Sequence, residues 1–185
     1  NLLMMLNVIQ LLPESLIRIK RISLDIALVS SLNDARLNQL LSKTNWQLSN
    51  NQLNLKGLKI NIHRNSFIKI LNSSDLLLSM SGTASEQAIG LAKPVLQLKG
   101  KGPQFTATFA EAQRRLLGPT IFCADGKVGD INNFRKTAKL IIELLGRSRS
   151  DKNLKLSCKR QASLRLGNAN GGYLMAREIV NLLEN

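Results

Sequence analysis

The sequence predicts an α/β domain built on a doubly wound parallel sheet, and three observations predict it. Apolar runs short enough for strands alternate with longer stretches of helical spacing along the chain. Residues 74–104 compress that alternation into one strand–turn–helix–strand unit, with glycine at the turn and proline after the helix. No internal repeat or low-complexity tract competes with this reading. A length of 185 residues suits one domain, and a hydrophobic fraction of 44% argues against disorder.

The chain opens in an apolar run, residues 2–12, where Leu2, Leu3, Leu6, Ile9 and Leu12 follow helical spacing until Pro13 stops the helix. This run falls short of the ~20 residues that span a bilayer and lacks the basic flank of a signal peptide. It reads as a buried helix, and the first residue as a cut within a longer protein. Leu16, Ile17 and the cluster Arg18, Lys20 and Arg21 then lead to the surface. Residues 24–32, aliphatic and short, read as a buried strand, after which Asn33 or Asp34 caps a helix through Leu37, Leu40 and Leu41. Residues 46–57 are polar and rich in asparagine, which predicts a loop or an irregular strand. Leu58, Ile60 and Ile62 alternate with Lys59, Asn61 and His63 as in a half-buried strand, and residues 66–71 make a short helix.

In the central unit, Leu76, Leu77 and Leu78 suit a strand buried on both faces. Ser81 and Gly82 break it, and Thr83 and Glu86 have the spacing of a capping box that opens a helix. The helix ends near Lys93, because a residue before proline is pushed out of the α region. Val95, Leu96, Gln97 and Leu98 form the next strand, closed by a turn holding Gly100, Gly102 and Pro103. Beyond it, Phe105, Phe109, Ala112 and Leu116 share one helix face, Gly118 and Pro119 end that helix, and residues 120–124 make a strand. Asp130 caps a long helix with Ile131, Phe134, Ala138, Ile141 and Leu145 facing inward, and residues 147–150 read as a charged break. A strongly basic stretch (154–166), a glycine/asparagine turn (168–172) and an amphipathic helix carrying Tyr173, Ala176, Val180 and Leu183 finish the chain.

A net charge of +14 draws anionic partners: nucleic acid, phosphorylated small molecules or an anionic membrane surface. With one Trp, one Tyr and no interleaving of arginine with aromatics, nucleic acid is the minority reading. Cys123 and Cys158 lie in no metal-ligand spacing and read as buried fillers of a protein in the reduced cytoplasm. One histidine and scattered acids make no metal set, and no cofactor is expected.

The turn in the central unit carries the candidate chemistry. It aims free backbone N–H groups at the carboxyl edge of a parallel sheet, where such sheets bind ligands, and a helix N-terminus there favours anions. Gly82 has no side chain to hold phosphate oxygens away from those amides, while Thr83 and Ser85 add hydroxyl donors. The Glu86 carboxylate can accept two hydrogen bonds from a cis-diol, or it can merely cap the helix. His63 ends its strand on the same predicted sheet edge as Gly82, a candidate for lining a base or sugar site, though a lone histidine is more often structural. Asp75 reads as a cap or a pairing partner without chemistry.

The stretch from Ser74 through Asp75, Leu76, Leu77, Leu78, Ser79, Met80, Ser81, Gly82, Thr83 and Ala84 to Ser85 and Glu86 resembles the donor-binding half of the two-domain nucleotide-sugar glycosyltransferases of the GT-B fold. Within them it most resembles lipid-A-disaccharide synthase and its cyanobacterial-type relatives. Lys93-Pro94-Val95, Gly102-Pro103-Gln104-Phe105, the helix to Arg114-Arg115-Leu116-Leu117-Gly118, and the closing Arg165-Leu166-Gly167 with Gly171, Gly172 and Ala176 fit the same family. The resemblance implies a Rossmann-like C-terminal domain that binds a UDP-sugar. The pyrophosphate would rest at Ser81, Gly82 and Thr83, the ribose hydroxyls on Glu86, and the sugar near Gln104.

The resemblance further implies a partner, an N-terminal acceptor domain lying outside this sequence, as does the first strand of the donor half with its Gly-Ser-Arg-like loop. The general base usually comes from that other half, so no catalytic residue is assigned here, and this chain alone would bind donor and catalyse nothing. Backbone dipoles, without a metal, would stabilise the departing diphosphate. The acceptor would be lipid-linked or a glycan, placing the protein in the cytoplasm or peripherally at the inner membrane. The basic run Lys152, Lys155, Lys159, Arg160 and Arg165, ordinarily a solvated helix face, would then face an anionic membrane. The rival readings are a UDP-sugar 2-epimerase of the same fold, which needs more acid/base residues, and a non-catalytic basic module for anionic lipid or nucleic acid.

Overall fold

The structure is a computed structural model and describes residues 1–100, 102, 106–167 and 170–184. Its strands are β1 (Asp25–Leu28), β2 (Gln47–Ser49), β3 (Gln52–Leu55), β4 (Leu58–Arg64), β5 (Leu77–Ser79), β6 (Val95–Gln97) and β7 (Ile121–Cys123). Its helices are α1 (Leu2–Ile9), α2 (Glu14–Ile19), α3 (Asp34–Leu41), α4 (Phe67–Ser73), α5 (Gly82–Gly90), α6 (Ala107–Leu117), α7 (Ile131–Ser150), α8 (Lys152–Gln161) and α9 (Gly171–Leu183), with a π-helical turn over Ala162–Leu166. The strands form two hydrogen-bonded sheets: a mixed one in the order β1-β4-β3-β2 and a parallel one in the order β5-β6-β7. This is an α/β architecture flanked by helices, compatible with a Rossmann-like fold.

The mixed sheet departs from the all-parallel expectation, and the cause is local. β1 and β4 run parallel, but β2, β3 and β4 form an antiparallel meander. Ser49 pairs with Gln52 across Asn50 and Asn51, whose φ angles of 50° and 55° make a two-residue hairpin turn. Leu55 pairs with Leu58 across Lys56 and Gly57 in the same manner, at φ 44° and 84°. Of the two expectations for the polar stretch, a loop or an irregular strand, the strand holds: it is a pair of regular strands, since asparagine tolerates the left-handed region that such turns demand.

Leu53, Leu55, Leu58, Ile60 and Ile62 point into a core with Leu37 and Leu41 of α3, Trp46, Leu28 and Leu6. β1 is shorter and less buried than expected. It ends the ladder, its residues grade from exposed to buried, and Val29 just beyond it is 68% exposed. The Asn33 side chain, accepting from the Arg36 amide at 3.0 Å, caps α3.

The parallel sheet is covered on both faces at its central strand. Val95 packs with Leu71, Ala88, Ile89, Leu117 and Ile121, while Leu96 and Leu98 face Val8, Leu12, Met80, Phe134, Ile141 and Leu144. β5, expected to be buried on both faces, lies at the edge with Leu77 and Leu78 half-buried. Helix α1 bridges the two cores, giving Leu6 to one and Val8 to the other, which explains apolar residues around its circumference. It stops at Ile9 rather than Leu12, and Leu3 stays exposed at its surface.

Two expected helix faces shift and one expected break closes. Helix α6 buries Ala110, Gln113 and Leu117, one position off the predicted stripe, leaving Ala112 and Leu116 exposed. Phe105 lies outside the described residues. In α7, Asp130 caps by accepting from the Asn132 amide at 2.7 Å, but Ile131 is exposed and Leu144 replaces Leu145 as the fully buried leucine. The predicted break at residues 147–150 is helix: α7 runs to Ser150, and Asp151 both terminates it and caps α8 by accepting from the Asn153 and Leu154 amides. Helix α9 forms with no buried residue. Asp75 pairs with Arg149 at 2.9 Å, while the same guanidinium donates to the Lys20 carbonyl at 3.2 Å.

Candidate functional site

β5 ends at Ser79 and α5 begins at Gly82, so only Met80 and Ser81 make the corner. Met80 is buried among the residues of α1 and α7 and anchors it, whereas Ser81 and Thr83 are exposed. The corner is thus at the surface, at the carboxyl end of a parallel strand. The helix cap is Ser81, not Thr83: its φ and ψ are extended, and its side chain caps no amide. Thr83 sits inside the first turn, so the predicted capping box with Glu86 does not form. The leading amides of α5 are consequently left without a side-chain acceptor.

Beneath the corner lies a small polar lattice. Ser79 Oγ accepts from the Ser81 amide and donates to the Ser81 carbonyl, both at 3.0 Å. Ser85 Oγ donates to that carbonyl at 2.7 Å and accepts from Gln97 Nε2 at 3.4 Å. Ser79, Ser85 and Gln97 are all buried, so Ser85 serves as a strut inside the corner and its hydroxyl faces the protein. Gly82 is closely approached by α6: a Cβ there would lie 3.3 Å from Phe109 Cζ, whose ring would have to give slightly, and 3.6 Å from Gln113 Nε2, an ordinary contact. The absent side chain lets α6 approach while the corner's outer side stays open.

Gln97 Oε1 and Gln113 Oε1 are buried without a hydrogen-bond partner among the described residues. An orphaned acceptor costs ~1–3 kcal/mol, and both belong to amides bordering Gly82 or Ser85. Lys99 follows Leu98, whose amide bonds the Ser79 carbonyl at 2.9 Å, and places a cation at the same edge. Burial pushes the Cys123 thiol up, with the charge of Lys99 pulling the other way. Sequence reasoning passed over Gln97, Gln113 and Lys99. The available signal was an amide inside an otherwise aliphatic strand.

Glu86 lies one turn into α5, half-buried, on the Thr83 side of the helix. Gln104 lies outside the described residues. His63 belongs to the other sheet and is turned away from the expected edge. Its Nε2 is 2.8 Å from Asp25 Oδ1, at the opening residue of β1, and no hydrogen bond among the described residues joins it to the corner. Asp25 also accepts from Ser23 at 2.6 Å and Asn61 at 3.1 Å, and Gln52 donates to Asn61.

Partial burial alone would raise the Asp25 carboxyl. Hydrogen bonds from Ser23, His63 and Asn61 outweigh it and hold the group below its ordinary 3.8. A depressed carboxyl stabilises the fold above its unfolded value, and that stabilisation is lost as pH falls through the folded value. Urea midpoints should therefore show Asp25→Asn weaker than the parent at neutral pH, with the gap closing as pH drops below 3.8. A gap that persists unchanged in acid would remove the carboxylate as its source.

Among the described residues, no group of three or more His, Cys, Asp or Glu is placed to hold a metal, and no helix is long and apolar enough to cross a membrane. An open cleft of about 540 Å³ lies at the other sheet, lined by Thr44, Asn54, Lys56 and Lys59 among others, and shares no lining residue with the corner. Comparison of the chain with protein-family models, with curated proteins and with solved structures finds no match.

Proposed function

We propose that this chain is the donor-binding half of a UDP-sugar-dependent glycosyltransferase of the lipid-A-disaccharide-synthase-like GT-B class. The observation that carries the reading is the corner itself. An exposed helix start without a side-chain cap follows a parallel strand, on the sequence Ser81-Gly82-Thr83. The diphosphate of the donor rests against the amides of Gly82, Thr83 and Ala84, with the Thr83 hydroxyl beside it. The Ser79–Ser85–Gln97 lattice holds the Ser81 peptide in place before ligand arrives, so little reorganisation accompanies charge development on the leaving group.

Glu86 takes the ribose hydroxyls and Gln104 the sugar. The acceptor and the general base belong to a second half. The uncovered apolar face of α9, with Ile179 58% and Leu183 81% exposed, is consistent with a unit that works packed against another.

Calorimetric titration of UDP into the chain tests this. UDP is expected to bind at moderate salt, and Glu86→Ala to weaken it about tenfold or more, the equivalent of a charge-assisted hydrogen bond of ~1.5–3 kcal/mol. Inorganic phosphate, which has no diol, should be indifferent to the same substitution. Absence of UDP binding, or an affinity unmoved by Glu86→Ala, would end the reading.

A further inference from the structure

The mixed sheet has one apolar and one polar face. Leu48, Leu53 and Ile60 align across β2, β3 and β4 and point toward the core. Gln47, Asn54 and Lys59 on one side of that row, and Ser49, Gln52, Asn61 and Asp25 on the other, carry the opposite face. The cleft of about 540 Å³ takes in the first of these polar rows, the hairpin turn at Lys56 and Gly57, and the connection from α3 at Thr44 and Asn45.

Its frame is set before any ligand arrives. Thr44 Oγ1 donates to the Leu41 carbonyl at 2.8 Å and accepts from the Trp46 amide at 3.2 Å. Asn54 Nδ2 donates to Ser49 Oγ at 3.1 Å and to the Gln52 carbonyl at 3.3 Å. The side chains of Asn45, Gln47, Lys56 and Lys59, by contrast, are exposed and make no hydrogen bond or ion pair among the described residues. No acid among the described residues lines the cleft. Glu14 leans on Gly57, so close that a Cβ there would collide with its carboxylate, yet it pairs with neither lysine. Two ammonium groups around one cleft repel each other, and among the described residues nothing answers them.

We propose that this cleft binds an acidic sugar, a ring of hydroxyls bearing a carboxylate or a phosphate. The anionic group pairs with Lys56 and Lys59. The hydroxyls exchange water for the amides of Asn45, Gln47 and Asn54, a side-chain type that both donates and accepts. Charge complementarity fixes the sign of the ligand, and the rest of the lining fixes its kind. The volume falls within the ~300–1,000 Å³ of small-molecule sites, more than a bare ion needs. A nucleotide base would find no aromatic platform, since Trp46 is turned into the core at 4% exposure. Hydrocarbon would find no apolar wall, since Leu55 and Leu58 are themselves buried. The cleft shares no lining residue with the donor corner, so the proposal stands whether or not UDP binds.

The test follows the backbone amide signals of the isotope-labelled full chain by NMR during titration with glucuronate, glucose 6-phosphate, glucose and inorganic phosphate. At least one of the two acidic sugars is expected to shift the amides of Asn45, Gln47, Asn54, Lys56, Gly57 and Lys59, and which one does so tells carboxylate from phosphate. Shifts at Gly82 and Thr83 would report the corner separately. Lys56→Gln with Lys59→Gln should weaken the acidic sugar about tenfold or more. The same charge removed elsewhere, Lys43→Gln with Lys69→Gln, should matter much less. Gln47→Ala keeps every charge and should weaken the acidic sugar severalfold while leaving inorganic phosphate unchanged. All five positions are exposed, and the unperturbed remainder of each spectrum reports that the variant is folded. No shift at the cleft with either acidic sugar overturns the proposal. So does glucose binding as tightly as they do, which would remove charge from the recognition. Inorganic phosphate matching glucose 6-phosphate, with Gln47→Ala inert, would mark a charge-only surface and overturn it equally.

Discussion

Gly118→Ala is expected to destabilise the protein by about 1–3 kcal/mol through backbone strain alone. Gly118 ends α6 at φ 100° and ψ −177°, a region closed to residues with a Cβ. The added methyl would also lie 2.2 Å from Gln161 Oε1 and 3.0 Å from Gln161 Cγ, so the last buried side chain of α8 must leave its place. Strain and collision separate in a double variant. If Gln161→Ala restores only part of the lost urea midpoint, the remainder is the backbone. A Gly118→Ala midpoint within experimental scatter of the parent would show that the turn relaxes without resistance.

Leu96→Ala is expected to cost about 2–5 kcal/mol, the range for emptying a fully enclosed leucine site. Leu96 is 0% exposed, on the central strand of the parallel sheet, and faces a cluster that both α1 and α7 complete. Backbone on both sides prevents the neighbours from closing the space. For a chain of this size the loss is about 4–20 °C in Tm. Leu116→Ala is the matched control: at 57% exposure it should change stability by no more than about 0.5 kcal/mol. Equal effects at the two positions would overturn the assignment of the inward face of α6.

That control bears on what the sequence could disclose. The central strand–helix–strand unit was legible because proline and glycine punctuate it, and the caps at Asp130 and at Asn33 or Asp34 were readable because short polar side chains precede apolar stripes, the structure choosing Asn33. The phase of α6 was not legible. Gln113 looks like a solvent residue, and only the approach of α6 to Gly82 turns it inward. The hairpin through Asn50 and Asn51 was only half legible: asparagine left loop and irregular strand both open, although Leu53 and Leu55 already alternate.

At the candidate corner, residue types were visible but not their orientation. Ser85 and Thr83 look alike as hydroxyl donors, yet one is sealed in the lattice and the other faces water. His63 was placed by strand position, while its direction was set by Asp25, thirty-eight residues earlier and aligned only by parallel pairing. The amphipathy of α9 was plain, but a stripe of apolar residues does not say whether anything lies over it.

The bridging position of α1 carries a consequence for biosynthesis. The mixed sheet, β1 through β4, pairs within residues 25–64 and can close soon after they emerge from the ribosome. Val8 and Leu12 are made well before Phe134, Ile141 and Leu144, which cover them, and the Lys20 carbonyl waits for an arginine 129 positions later. The apolar surface of α1 therefore stays uncovered during synthesis until α7 is made, and a chaperone that shields such segments has a long task at this helix.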